Sequence, residues 1–469
     1  MYNSKLIGIL NILNRNEKEL LKKWINSPAH NHRKDRSKLL LKLLNKRKLT
    51  PKTSKKEDLF AYVYPVETYN ELKLNSLMNL SVQLLEDFIY FSSQKKDTFS
   101  KKKALILFFQ ERKLNKYAQQ YIQKAQKDQT NTSIQNSVYY SQQYRLEKII
   151  FEHQNIVIQN QETNLQAVFD NHYLSFILQS LDHACLAVTH QRLYKAVYQI
   201  PLLEPILKDI ENGKFENIPS IQLYYNAYMA LAHPQDKQYF ETLKLLLYKH
   251  HNILTPKEIK NIYLIAINYC IRLSNSGAEK YVRALLELFQ YGLKHSILID
   301  QDVLSRFTYK NIVAAAIRLK EYAWVDLFIK EYTPYLEDEY QENYAKFVYA
   351  KLAFAQQEFD KTLELLAQVE FDDVFLNISS KTMLLKIYYE QDYFDALDAL
   401  LTSFRRYLQR NGVLAYQKEL YSNIINLTEK LIKVNPYNKQ DKTELQTEIE
   451  KTNPLTERPW LLAQLAKLK

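Results

Sequence analysis

Two histidines and a cysteine stand close enough in sequence to suggest a metal site. His183, Cys185 and His190 all carry ligand atoms, but on a helix His183 and His190 stand about 10 Å apart, two turns along one face. The bridging positions three and four residues on from His183 are Leu186 and Ala187, and Cys185 points elsewhere. The spacing predicts helix-interface histidines and no bound metal. His250-His251 and His30-Asn31-His32 fall near expected helix ends, where polar caps or loops account for them. Cys185 and Cys270 sit in apolar contexts (HACLAV, INYCIRL) and read as small core residues; two cysteines form neither a disulfide framework nor a zinc pattern.

Nucleotide and hydrolase chemistry is excluded family by family. The chain has five glycines: Gly8, Gly213, Gly277, Gly292 and Gly412. They cannot spell G-x-G-x-x-G or G-x-x-x-x-G-K-[ST]. H-E-x-x-H, C-x-x-C and G-x-S-x-G are absent as well. No cofactor and no enzymatic activity are expected. So few glycines also leave few positions able to take positive φ, so tight hairpins should be rare and the chain all-helical.

Charge is distributed unevenly. Of 64 Lys and Arg, 27 lie in residues 1–127 against 11 acids, while residues 128–469 hold 37 against 41. A basic first quarter could meet nucleic acid, anionic lipid or an acidic protein. LLLKLL, KKEDLFAYVYP and ELKLNSLMNLSVQLLEDF together resemble the three-helix order of winged-helix regulators. A recognition helix needs cations for phosphates. The helix expected at 69–92 carries only Lys73 in its body, against Glu71, Glu86 and Asp87. A nucleic-acid-binding regulator with a sensing repeat domain is therefore the alternative reading, and sequence-specific recognition is not expected.

The elements that position these residues read as about twenty helices with no alternating strand. At 469 residues, two domains or a stacked solenoid are needed, since single cores stop growing at roughly 250–300 residues. Leu6, Ile9, Leu10 and Leu13 fit one helix face, and the N-terminus lacks the cleavage site of a signal peptide. No apolar run approaches the ~20 residues that span a bilayer. A cytoplasmic protein without membrane insertion is expected. Residues 16–26 and 34–47 form helices, Ser54 caps a third that Pro65 closes, and a long helix follows with Leu74, Leu77, Ser81, Leu84, Leu85 and Phe88 on one stripe. Pro201 and Pro205 break the long helices of the middle region, and Gly213 lies in a turn. The tyrosine count, 36, suits half-buried seams between packed helices.

From 218 onward the chain reads as regular helix pairs. Phe359 and Tyr393 are 34 residues apart, as are Leu363 and Leu397, Leu366 and Leu400, and Ala350 and Leu384. That step and the segment YYEQDYFDALDALL resemble the tetratricopeptide repeat. The repeats depart from it: the small position is Ala350 in one and Leu384 in the next, the usual Gly and Pro are missing, and the step back to Tyr322 is 37. The resemblance is firm over 305–410. It implies an all-α fold, an N-terminal small helical domain followed by a tetratricopeptide-like α-solenoid of antiparallel helix pairs. The expected divisions are 1–97 (basic helical domain), 98–217 (long-helix connection), 218–435 (repeats) and 436–469 (capping helices, with Trp460, Leu461, Leu462 and Leu465).

In such arrays the first helix of each pair lines the concave groove. The 34-residue alignment carries this onto Lys310, Ala314 and Arg318, then Tyr344, Phe347 and Lys351, then Lys381, Leu385, Tyr388 and Tyr389. The candidate peptide-binding residues are Lys310, Arg318, Tyr344, Lys351, Lys381, Tyr388 and Tyr389. Ammonium groups would hold carboxylates and tyrosine rings would grip apolar side chains, so the expected partner is a protein or acidic peptide. Over the whole chain, LLKKWINSPAHN, LYYNAYMAL, YKNIVAAAI, KEYAWVDLFIKEY and SFRRYLQRN resemble an uncharacterised helical protein family of Bacteroidota with degenerate tetratricopeptide-like repeats. That resemblance implies no catalytic residues.

Overall fold

The computed structural model describes residues 3–46, 49–51, 54–157, 163–194, 196–275, 277–367, 374–410 and 415–468. Gly412, read as a turn glycine, lies outside them. The chain is all-α: the described residues form 23 α-helices, one 3-10 turn and one two-residue β-hairpin. Packing divides it into two units, Met1–Gln179 and Ser180–Lys469.

In the first unit, α1 (Lys5–Ile12), α2 (Arg15–Ile25), α3 (Lys34–Leu44) and α4 (Lys56–Val63) surround the long α5 (Glu71–Lys96). A reciprocal cap opens α2: Asn14 Oδ1 accepts from the Glu17 amide and Glu17 Oε2 from the Asn14 amide, both at 2.9 Å. Ser54 does not cap α4. Its hydroxyl donates to the Thr50 carbonyl instead, and the helix starts after Lys55 without a side-chain cap. The predicted stripe of α5 is buried, and Ser81 is satisfied by donating to the Leu77 carbonyl. Its leucines join Leu6, Leu21, Leu39 and Phe60 in one apolar core. Beyond it, α6 (Thr98–Glu111), α7 (Asn115–Thr130) and α8 (Ser137–Val157) pack around Ile106, Ile122 and Ile149. The division between the units falls inside α9 (Leu165–Tyr194).

The second unit is a succession of helix pairs. After α10 (Leu203–Glu211) come α11 (Pro219–Ala232) with α12 (Lys237–His250), and α13 (Pro256–Asn275) with α14 (Lys280–Lys294). Pro205 does not break a helix. It lies in the first turn of α10, where its missing N–H had no helical partner to lose. The hairpin β1 (Ile299–Asp300) and β2 (Val303–Leu304) leads to α15 (Arg306–Arg318) with α16 (Tyr322–Tyr332). Then follow α17 (Asp338–Ala355) with α18 (Phe359–Ala367), and α19 (Val374–Glu390) with α20 (Phe394–Arg410). The chain continues through α21 (Ala415–Lys433), α22 (Lys439–Lys451) and α23 (Arg458–Lys467). First helices also contact first helices: α11 meets α13, α15 meets α17, and α17 meets α19. The 37-residue step from Tyr322 to Phe359 contains the extra 3-10 turn Thr333–Tyr335.

Scarce glycine does not prevent tight turns. Among the described residues nine non-glycine positions take positive φ, including Gln301 (48°) and Asp302 (63°), the two-residue loop of the hairpin. Several close a helix in the same way. After α15, α17 and α19 the chain turns through Lys320, Gln357 and Asp392, all left-handed. In each turn the following amide donates back to the carbonyl five residues earlier: Glu321 to Ala316, Glu358 to Ala353, and Tyr393 to Tyr388. Gly213 and Gly277 do the same after α10 and α13. Gly292 serves a different need. A Cβ there would come within 3.0 Å of the Tyr263 ring and 2.9 Å of the Leu298 side chain, so α14 keeps the close approach that only glycine allows.

Candidate functional site

The predicted face is carried by α15, α17 and α19, and the structure sorts its residues by how much of each side chain is still open. Arg318, at the end of α15, is engaged within the protein. Its Nε donates to Glu279 Oε1 at 3.1 Å, and its Nη2 donates to the same carboxylate and to the Ser274 carbonyl. It thus ties α15 to the turn between α13 and α14. Tyr344 is buried, with its ring edge toward Tyr340, and Phe347 and Leu385 are buried too. These residues build the floor on which others stand.

Lys351 stands on that floor. It projects from α17 with its ammonium 5.9 Å from the centre of the Phe347 ring, half-buried. Burial, and then the neighbouring charge of Lys310 on α15, push that ammonium down to about 8. The charge of Glu457 works in the opposite direction, and more weakly. On α15, Lys310 is half-buried and Ala314 exposed.

Lys381 is placed apart from that pair. Its ammonium lies 5.9 Å from the Tyr407 ring on α20, and burial pushes it down. Tyr388 and Tyr389 are half-buried against the C-terminal core formed with Phe404, Ile424 and Leu461. Tyr389 meets the Trp460 ring edge-on at 5.5 Å. Trp460 donates its Nε1–H to Glu390 at 2.7 Å. The C-terminal helix therefore covers this end of α19.

One cation was missed by sequence reasoning. Lys386, largely buried, lies 5.2 Å from the Phe354 ring of α17 and 5.8 Å from the Trp460 ring. It donates to Glu457 Oε2 at 2.9 Å. The alignment of repeats gave no signal for it, because its partner comes from 71 residues further along the chain. Lys351 is thus flanked by Lys310 of α15 and by the Lys386–Glu457 pair, with Phe347 and Phe354 of α17 beside the cations.

The other candidate groups are engaged elsewhere. Cys185 is buried and directs its thiol toward the Tyr224 carbonyl, burial raising its pKa strongly. His190 shares a hydrogen bond of 2.6 Å with Tyr198. No three His, Cys, Asp or Glu side chains converge on a metal-sized space among the described residues. His30 stacks on Trp24, ring centroids 3.4 Å apart. In the basic first unit, Lys5, Lys56, Lys73 and Lys102 pair with Glu86, Glu71, Glu67 and Asp128. Arg36 donates to the Leu80 carbonyl and to Asn31. No helix of the described residues is long and apolar enough to cross a membrane. Compared with protein-family models, with curated proteins and with solved structures, the chain matches none.

Proposed function

We propose that this chain is a non-enzymatic helical-repeat scaffold of tetratricopeptide-like pairs, working in the cytoplasm. It binds a protein or acidic peptide along the concave face of α15 and α17. The observation that carries this reading is Lys351. It is half-buried beside a second lysine, and no carboxylate among the described residues lies within ion-pair distance of it. Burying an ammonium next to a like charge costs stability and is relieved by an arriving anion. Phe354, half-buried beside Lys386, offers apolar contact to the residues between the ligand's acids. The resemblance to the Bacteroidota family agrees with a repeat scaffold.

The test is fluorescence polarisation with a labelled peptide of repeating Glu-Glu-Tyr and a control of repeating Gln-Gln-Tyr. The acidic peptide binds, its affinity falls steeply with salt, and Lys351→Glu weakens it about tenfold or more. Equal affinity for the two peptides, or an unchanged Lys351→Glu variant, refutes the reading.

A further inference from the structure

The cationic cluster already contains an acid, and that acid comes from the other end of the repeat array. Glu457 sits just before α23, with a left-handed backbone (φ 56°) that turns the chain into the helix. The helix behind it is firmly seated: Leu461 is fully buried and Leu465 nearly so. Withdrawing α23 would expose those leucines and the Trp460 ring, so the helix stays in place when a ligand arrives. The Glu457 side chain is different. About a third of it is open to solvent, and it reaches Lys386, whose ammonium lies against Phe354, three residues along α17 from Lys351; its charge favours the Lys351 ammonium.

Resting on the binding reading above, we propose that Glu457 is a resident carboxylate. It occupies part of the anion-binding face, and the protein's own C-terminal segment thereby sets the affinity for an acidic partner. The geometry has two consequences. An incoming carboxylate at Lys351 meets Glu457 as a like charge at close range, which costs affinity. The same repulsion discriminates among ligands: acidic ligands are weakened and neutral ones are not. Glu457 also keeps Lys386 neutralised when no ligand is present.

Glu457→Gln tests this with the two peptides named above, on the full chain. The acidic peptide should bind about three- to tenfold more tightly than to the unaltered protein, and the neutral peptide should be unchanged. The Glu457→Gln change leaves Lys386 without its partner, so its melting temperature is measured alongside. If the variant melts too early to titrate, the comparison is made in a Lys386→Met background, where removing Glu457 strands no partner lysine. There, adding Glu457→Gln should again tighten acidic-peptide binding. Equal or weaker binding after loss of Glu457, with the unaltered protein still binding, overturns this inference alone. Failure of both proteins to bind the acidic peptide overturns the binding reading and this inference with it.

Discussion

The Lys386 ammonium lies 2.9 Å from Glu457 Oε2, joining α19 to the start of α23. Beside it, Trp460 closes the same junction with apolar area and one hydrogen bond, to Glu390. The two Trp460 contributions can be separated. Trp460→Phe keeps most of the ring and removes the N–H; it should cost about 1 kcal/mol. Trp460→Ala also opens a cavity against Tyr389 and should cost about 3–5 kcal/mol. Urea titration followed by circular dichroism measures both. Because stacked helix pairs communicate mainly with their neighbours, the larger loss should appear as early melting of the C-terminal end.

Lys351 should trade stability against binding. Its ammonium is pushed down to about 8 in the folded chain, well below the ordinary lysine value. The unfolded chain therefore binds more protons between the two values, and stability rises with pH from about 8 to about 10.4. Below pH 8 the full cost is present. Lys351→Met should then stabilise the protein at pH 7 by about 1–3 kcal/mol, after allowance for the part of the side chain left in water, and should gain little at pH 10.5. The same variant should lose acidic-peptide affinity. A Lys351→Met protein no more stable than the unaltered one at pH 7 contradicts the account.

The all-α class was legible because it rests on local periodicity: the α5 stripe and the pairs from α11 to α20 follow from spacing alone. Turns were less legible. Glycine count spoke for few left-handed residues, yet Lys320 and Gln357 take that conformation because the back-bonded helix ends outweigh the cost at each. The candidate face was half legible. Helical periodicity placed Lys310 and Lys351 on separate helices, and the structure has them on α15 and α17. Periodicity could not say that Tyr344 would be buried, that Arg318 would bond to Glu279, or that Lys386 would meet Glu457. Those outcomes depend on neighbours distant in sequence, which no local pattern records.

Gln357 offers a direct test of the turn chemistry. A side chain at φ 64° costs about 1–2 kcal/mol relative to the right-handed region, and glycine removes that cost. Glycine also loosens the unfolded chain, which offsets part of the gain. Gln357→Gly should therefore stabilise by about 0.5–1 kcal/mol, read as a higher urea midpoint. Gln357→Ala keeps the Cβ and should gain nothing.

Gly292→Ala should act in the opposite direction. The Tyr263 ring it would meet is fully buried and held by a hydrogen bond from its hydroxyl to the Leu288 carbonyl, so it cannot swing aside. Overpacking of this kind costs about 1–3 kcal/mol. The check is the thermal midpoint of Gly292→Ala against that of Gly8→Ala, where no neighbour lies within 4 Å of the added carbon. The Gly8 variant should match or exceed the unaltered protein, since alanine is the better helix former.

Asp35 should govern the acid stability of the first unit. Arg33 donates to both of its oxygens, at 3.1 and 2.7 Å. The Tyr64 hydroxyl and the Arg36 amide each add a bond of 2.8 Å. These donors, Arg33 first, outweigh the cost of partial burial and hold the carboxyl down at about 2. A carboxyl lowered on folding contributes stability that is full above its unfolded value, near 3.9, and is lost as pH falls through 2. The shift corresponds to about 2 kcal/mol. Lowering the pH from 4.5 to 2 should therefore cost the unaltered protein about 2 kcal/mol more than it costs Asp35→Asn, whose amide does not titrate. Tyr64→Phe removes one donor and should move the acid transition upward in pH by a few tenths of a unit or more. Identical acid profiles for Asp35→Asn and the unaltered chain would assign the transition to other carboxylates.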